Sequence, residues 1–340
     1  MSTQVNRSWQ MTGFGLSKLE RVEGKVPEPG PRELLVRTKA VSLNYKDKMI
    51  IDGTLIPDLA FPFVPTSDAL GEVVAVGKEV SRFRVGQRVL GQVIADWPDG
   101  DAPPVLHKHT LGSSLSGMLS DHVVLGEDAA VLAPPSLSNV EAATLPIAAL
   151  TAWFALVEAT KPVPGQTLLI QGTGGVSLFA LQFANAFGLR PIVTSSSDEK
   201  LERARQLGAW QVINYRTQPA WDKAARDLTE GIGVNHVLEM VGGDNARRSL
   251  HALAADGRLS IIGLLGDTEL SFPILPFMRN RITVQGLSVG HRRAFERMNQ
   301  AIEALALKPV IDKVFGFDEV PQALKHLEKG PFGKIVITMT

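Results

Sequence analysis

Apolar positions along this chain follow two different rhythms. Up to about residue 135, short apolar runs at 33–41, 71–77 and 85–91 are punctuated by Gly and Pro, which predicts the strands of a small barrel or folded sheet. Residues 95–116 are rich in Asp, Pro, Gly and Ser and read as a loop that forms part of a cleft wall. From Ser138 the rhythm changes. Ser138 and Glu141 make a capping box that opens a helix running toward Ala159. A compact strand at 167–171 follows the Pro164-Gly165 turn. Val176, Phe179, Ala180, Phe183, Ala184 and Phe187 then recur at helical spacing, and Gly188 closes that helix. A strand at 191–194 leads to a second capping box, Ser196 with Glu199, and to a helix that stops at Gly208. Strand 211–214, helix 221–228, strand 236–239, helix 245–253 and strand 258–263 continue the alternation, and strand 282–286 extends it. Strands and helices alternating in this way predict an α/β unit, a parallel sheet wound by right-handed crossovers. One more helix and strand-like runs at 313–315 and 334–338 end the chain.

Composition narrows the chemistry. The 340 residues are long enough for two domains. Lys plus Arg equals Asp plus Glu, 35 against 35, so no net field favours nucleic acid or an anionic membrane as a partner. There is no cysteine, which removes disulfides, iron–sulfur clusters, thiolate nucleophiles and cysteine-ligated zinc. Residues 1–11 lack the apolar core of a signal peptide. The longest apolar stretch, 145–157, is about 13 residues, short of the roughly 20 that span a bilayer, and reads as a buried helix. A cytoplasmic location follows by default.

Gly172-Thr173-Gly174-Gly175-Val176-Ser177 lies between a strand and a helix, where a Gly-rich turn lets backbone amides and the helix dipole meet a pyrophosphate. The full dinucleotide fingerprint wants Gly where Ser177 stands, so the match is partial. At the end of the second strand an NAD site places a carboxylate on the ribose 2′-hydroxyl. This chain has Ser195, Ser196 and Ser197 there, then Lys200, with Tyr215 and Arg216 after the third strand. Hydroxyls, helix-start amides and a cation suit a 2′-phosphate, which points to NADP(H). Two rival assignments are that Asp198 takes the acidic role, against which its place in the capping turn counts, and that Lys200 is a solvated surface lysine.

With these residues the chain resembles the medium-chain dehydrogenase/reductase superfamily over nearly its whole length, and most closely its zinc-independent quinone oxidoreductase branch. Residues 208–216 resemble the branch's segment in which positions matching Lys200 and Tyr215 help hold the 2′-phosphate. Leu43-Asn44-Tyr45-Lys46-Asp47 resembles its active-site turn, and residues 62–71 its Pro–Gly–x–Asp–x–x–Gly stretch, with Thr66 in place of the usual Gly. Residues 144–153 resemble the linking helix whose threonine, here Thr151, points at the nicotinamide. The resemblance implies a Rossmann doubly wound parallel sheet inserted into a β-rich catalytic domain of GroES-like fold. On that reading 1–137 and 291–340 form the catalytic domain and 138–290 the NADP(H)-binding domain. It also implies a homodimer formed partly by pairing the strand at 282–287 across a two-fold axis.

The zinc ligands of related alcohol dehydrogenases fall on Asn44, Ser67 and Ile147, none of which suits zinc at about 2.0–2.3 Å. His107 and His109 read as exposed loop residues. The expected chemistry is therefore metal-free, with Asn44 and Tyr45 meeting charge on a substrate oxygen and the cofactor ribose hydroxyl assisting. Tyr45 has a second reading as an aromatic packed under the turn; Asp47 fixes the turn, and Lys46 reads as exposed. Backbone around Gly263, Leu264 and Leu265, and around Leu287, Ser288 and Val289, follows the last two strands and should line the nicotinamide site. Val241 passes the adenosine half, and the resemblance adds Lys334 near the cofactor. Conjugate reduction of a small apolar quinone, enone or enoyl thioester fits this inventory. A zinc-free alcohol or aldehyde oxidoreductase and a non-catalytic NADPH-binding sensor or structural protein are the alternatives.

Overall fold

In a computed structural model the protein is described over residues 5–263, 265–266 and 269–339. It divides into two compact units, one made of Met1–Leu150 with Val289–Thr340 and the other of Thr151–Ser288. The boundaries thus lie at 150/151 and 288/289, where the sequence expectation set them at 137/138 and 290/291. Residues 139–149 belong to the first unit, with helix Asn139–Ala142 packed on strands Glu33–Leu43 and Asp68–Val76.

The first unit is built on a seven-stranded sheet. Its order is Ile311–Gly316, Lys334–Thr338, Glu33–Leu43, Asp68–Val76, Arg88–Gly91 and Ala130–Leu132, with His122–Gly126 also paired to Glu33–Leu43. The first two strands run parallel and the others antiparallel. A ribbon of Val5–Met11 and Leu19–Lys25 stands apart from this sheet. Leu34, Val36, Ile50, Phe315, Ile335 and Ile337 fill one core, so the C-terminal strand is as central as the N-terminal ones. Residues 95–116 contain no regular helix or strand among the described residues, only the bridges Ile94↔Thr110 and Leu111↔Leu115.

The second unit carries a six-stranded, wholly parallel sheet. Its order is Gln211–Asn214, Arg190–Ser195, Thr167–Gln171, Val234–Glu239, Leu253–Ile261 and Thr283–Gly286. This is the doubly wound Rossmann order, and the strand order reverses between Thr167–Gln171 and Val234–Glu239. Every residue of Thr167–Gln171 is buried, as a strand covered on both faces requires. Helix Gly175–Ala186 packs its apolar stripe inward, and Gly188, at φ +69°, ends it in a conformation that a side chain would resist. The capping box of Ser138 and Glu141 is present, but the helix it opens is not uniform. Its turns widen to π geometry at Leu145–Ala149 and again at Phe154–Glu158. The second expected box is displaced by one residue, because Ser197 rather than Ser196 caps helix Asp198–Gln206 by accepting from Lys200 N–H.

Phe183 is fully buried and meets Trp153 edge to face with 5.5 Å between ring centroids. Phe183→Ala removes a side chain that close packing cannot replace and should cost about 3–5 kcal/mol. The expected result is a lower urea midpoint at unchanged slope for the unit's far-UV signal. An unshifted midpoint would mean that the helix is not anchored there.

Candidate active site

The candidate chemistry lies in two places, one on each unit. In the second unit Gly172, at φ +75°, turns the chain out of strand Thr167–Gln171 into helix Gly175–Ala186. An added Cβ at Gly174 would meet nothing within 4 Å, and no side chain caps the helix start. Thr173 and Ser177 are buried, whereas Gly175 and Val176 are partly open. Ser177 Oγ donates to Gln171 O at 2.8 Å, which explains how a serine occupies a position where the dinucleotide fingerprint has glycine. The hydroxyl folds back under the turn instead of pointing at a phosphate.

A buried carboxylate holds the neighbouring strand end. Glu239 Oε1 accepts from Val241 N–H, Gly242 N–H and Asn245 Nδ2 at 2.8–2.9 Å. Its Oε2 accepts from Gln171 Nε2 at 3.0 Å and from Ser249 Oγ. Glu239 thus ties the ends of both strands flanking the topological switch point to one helix start. At the second strand end Ser195 is buried and Ser196 half-buried, and Tyr215 N–H donates to Ser195 O at 3.1 Å. Asp198 Oδ1 accepts from Asn214 Nδ2 at 2.6 Å, so that oxygen is already engaged within the protein. Lys200 is half-buried and Tyr215 is exposed.

Thr151 is buried in the helical turn Leu150–Trp153. Gly263 N–H donates to Glu239 O at 3.1 Å and Leu287 N–H to Ile261 O at 2.9 Å. Leu265 and Ser288 keep some exposure, and Leu264 lies outside the described residues. Val289 sits at φ +56°, a left-handed backbone that a β-branched residue rarely adopts and that recurs at functional sites.

In the first unit Asn44 follows strand Glu33–Leu43 and is the N-cap of helix Tyr45–Ile51. Asn44 N–H donates to Asp47 Oδ2 at 2.8 Å, as expected for an aspartate that fixes the turn. Tyr45 is 44% exposed, so it is not an aromatic packed under the turn. Lys46 departs from its expected exposure: it is half-buried, its Nζ donates to Leu111 O at 3.4 Å, and burial lowers its pKa. Burial pushes the Asp47 carboxyl up to about 6 despite nearby Lys46.

Lys334 opens the C-terminal strand and is 3% exposed. Its Nζ donates to Leu43 O at 2.8 Å and Asn44 Oδ1 at 2.6 Å, and lies 3.9 Å from Asp68 Oδ2. Asp68 also accepts from Ser67 Oγ at 2.9 Å and Ile147 N–H at 3.1 Å. Among the buried side-chain atoms without a hydrogen-bond partner in the described residues are Asn44 Nδ2, Asp47 Oδ1 and Thr66 Oγ1. Thr66 is itself held at φ +72°, and its carbonyl would meet a Cβ placed on Gly112 at 2.3 Å. Sequence reasoning passed over Thr66; the signal was present in its replacement of a glycine at a turn. Among the described residues no group of three or more His, Asp and Glu side chains is placed to hold a metal ion. His109 pairs with Asp96 at 3.0 Å, an acidic partner that the sequence did not reveal.

A doubly wound parallel sheet with a Gly-rich turn at its switch point, joined in one chain to a β-rich unit, defines a dinucleotide-dependent dehydrogenase architecture. Family comparisons agree. The alcohol dehydrogenase GroES-like domain family matches residues 30–135, and the zinc-binding dehydrogenase family matches residues 175–306. A zinc-type alcohol dehydrogenase-like protein of Schizosaccharomyces pombe is 40% identical over 95% of this chain and 96% of its own. A quinone oxidoreductase of Sus scrofa is 27% identical over 96% and 95%. A solved structure from Sinorhizobium meliloti, described as a proposed alcohol dehydrogenase, is 48% identical with TM-score 0.94 and covers all of both chains. Another, described as an NAD-dependent alcohol dehydrogenase, is 32% identical with TM-score 0.88 and covers 98% of this chain and all of its own. The chain belongs to the medium-chain dehydrogenase/reductase superfamily and is an oxidoreductase of that group. Among the described residues no helix is long and apolar enough to cross a membrane.

Asp47 has a pH consequence. Its folded pKa, about 6, lies above the ordinary aspartate value, so it favours folding when protonated. That contribution is fully present below about pH 4 and is lost as pH rises through about 6. Melting temperature should fall between those limits, and Asp47→Asn should flatten that part of the curve. A curve of the same shape in the variant would remove Asp47 as its source.

Proposed function

We propose that the protein is a zinc-independent, NADPH-dependent reductase that transfers hydride to a conjugated carbonyl such as a quinone, enone or enoyl thioester. The observation that carries this reading is the buried, unpaired Asn44 Nδ2, a donor that meets the requirement of a developing oxyanion without a metal. NADPH, when bound, supplies the hydride. Asn44 donates to the substrate oxygen as negative charge gathers on it, and exposed Tyr45, one residue on, is the candidate proton donor. A conjugated acceptor suits such a site, because its enolate or hydroquinone oxygen needs hydrogen bonds and then a proton.

The donor set does not fit zinc. Asn44, Ser67 and Ile147 take the ligand positions, and Asn44 Oδ1 already faces an ammonium at 2.6 Å, close to Asp68. The cofactor fits better. Gly172, Thr173, Gly174, Gly175 and Val176 would hold the pyrophosphate, and Ser195, Ser196, Lys200 and Tyr215 the 2′-phosphate, where the strand end carries no carboxylate. Val241 would lie by the adenosine, and Thr151, Gly263, Leu265, Leu287, Ser288 and Val289 by the nicotinamide. The quinone oxidoreductase and alcohol dehydrogenase names of the relatives support both this reading and alcohol or aldehyde oxidation. The NAD-dependent structure named above makes coenzyme choice the sharper test. We place the enzyme in the cytoplasm as a homodimer whose partners are a small apolar substrate and a second copy.

The test follows absorbance at 340 nm with NADPH or NADH against 1,4-naphthoquinone, 3-buten-2-one, crotonyl-coenzyme A, benzaldehyde and, in reverse, ethanol, with a chelator present. NADPH oxidation by a conjugated acceptor, unaffected by chelator, is expected. Lys200→Ala should raise the KM for NADPH about ten-fold and leave that for NADH unchanged, the loss of one charge-assisted hydrogen bond. Asn44→Ala should lower kcat about 100-fold, the scale of one oxyanion donor. NADH preference, chelator sensitivity or activity confined to ethanol and benzaldehyde would each overturn the corresponding part.

A further inference from the structure

We infer that Lys334 is a positioning residue: its buried ammonium fixes the orientation of the Asn44 amide so that Nδ2 is the atom offered to the substrate oxygen. The inference rests on the reading of Asn44 given above. Its own basis is the geometry of one hydrogen bond.

An asparagine amide has two faces that differ only in which end donates. A lysine ammonium can only donate, so the atom 2.6 Å from Lys334 Nζ must be the amide oxygen. With Oδ1 committed to Lys334, Nδ2 takes the opposite side, and it is there that the structure leaves a buried donor unpaired. A flipped amide would set two donors against each other at that distance and would aim an oxygen at the substrate. The cation also draws electron density from Oδ1 through the conjugated amide, which strengthens Nδ2–H as a donor.

The ammonium is itself locked. Leu43 O accepts from it at 2.8 Å, and Asp68 Oδ2 lies 3.9 Å away. Burial lowers the Lys334 pKa, while the Asp68 and Asp47 carboxylates oppose that. Strand register sets the side chain there, because Ile335 pairs with Leu43 and places Lys334 beside Asn44. The amine thus has protein partners on the Asn44 side.

The test is a double-mutant cycle of Lys334→Met and Asn44→Ala, with Lys334→Gln as a variant that keeps a neutral donor. With 1,4-naphthoquinone as acceptor, Lys334→Met should lower kcat about 50-fold and leave the NADPH dissociation constant, read by cofactor fluorescence, within two-fold. Lys334→Gln should recover about ten-fold of that loss. The double variant should be no slower than Asn44→Ala alone, because coupled groups are not additive. Losses that multiply in the double variant would overturn the inference, as would a large rise in the NADPH dissociation constant at unchanged kcat. If Asn44→Ala alone kept full kcat, the reading of Asn44 would fall and this inference with it. If Asn44→Ala were slow and Lys334→Met were not, only the positioning role would fall. A measurement without turnover covers an inactive acceptor or an unfolded methionine variant. In protein labelled with ¹⁵N at asparagine, the Asn44 side-chain pair should be resolved in the wild type and displaced or broadened in Lys334→Gln. An unchanged pair would refute the orientation.

Discussion

Burying an ammonium in a protein interior is costly unless its hydrogen bonds and charge are met, and Lys334 concentrates that constraint at the start of the last strand. Its compensation comes from a carbonyl, an amide oxygen and a carboxylate, carried by the end of strand Glu33–Leu43, the residue after it and the first residue of strand Asp68–Val76. Those are neighbouring strands of one sheet, so the unit's register and its candidate chemistry answer to the same charge. The C-terminal strand is therefore more than a closing element. It delivers, from the far end of the chain, the ammonium that holds Asn44 Oδ1.

Glu239 and Asn44 show two different treatments of a buried polar group. Glu239 in the parallel sheet has both oxygens fully engaged, by backbone N–H groups, two amides and a hydroxyl, which makes a rigid frame for the strand ends. In the other unit, Asn44, Asp47 and Thr66 each retain a buried atom with no partner. Native interiors rarely leave such atoms, and each one needs a reason. Glu239 is saturated, whereas Asn44 and Asp47, at the start of one helix, each keep an atom without a partner.

Much of this was legible in order. The period of Val176, Phe179, Phe183 and Phe187 located a helix that does run Gly175–Ala186, and the strand at 334–338 matches Lys334–Thr338. The parallel sheet followed from alternation alone. Other elements carried no such signal. Leu19–Lys25 is mostly exposed, with Glu20, Arg21, Glu23 and Lys25 charged, and helix Ile274–Arg279 buries none of its residues, so neither shows a clear amphipathic period. In the site, the Gly-rich turn was legible because backbone conformation constrains sequence locally. The partner of Asn44 was not, since 290 residues separate it from Lys334. Lys46 looked solvent-facing because a lysine beside an aspartate in a polar turn normally is. In the fold its Nζ donates to Leu111 O of the 95–116 loop, a partner 65 residues away.

Charge around Asn44 has a further implication for the proposed chemistry. Two amines, Lys46 and Lys334, and two carboxylates, Asp47 and Asp68, interact within one buried region. Burial raises the Asp47 pKa to about 6 and lowers those of Lys46 and Lys334, so it favours the uncharged form of each. Hydride addition to a conjugated carbonyl places one negative charge on oxygen, and fixed donors stabilise that charge. Removing hydride from an alcohol first requires a base to take the hydroxyl proton. Asp47 Oδ1 is buried and unpaired, yet its other oxygen is bound to Asn44 N–H in the turn it stabilises. A carboxylate tied in that way serves better as part of the frame than as a mobile base.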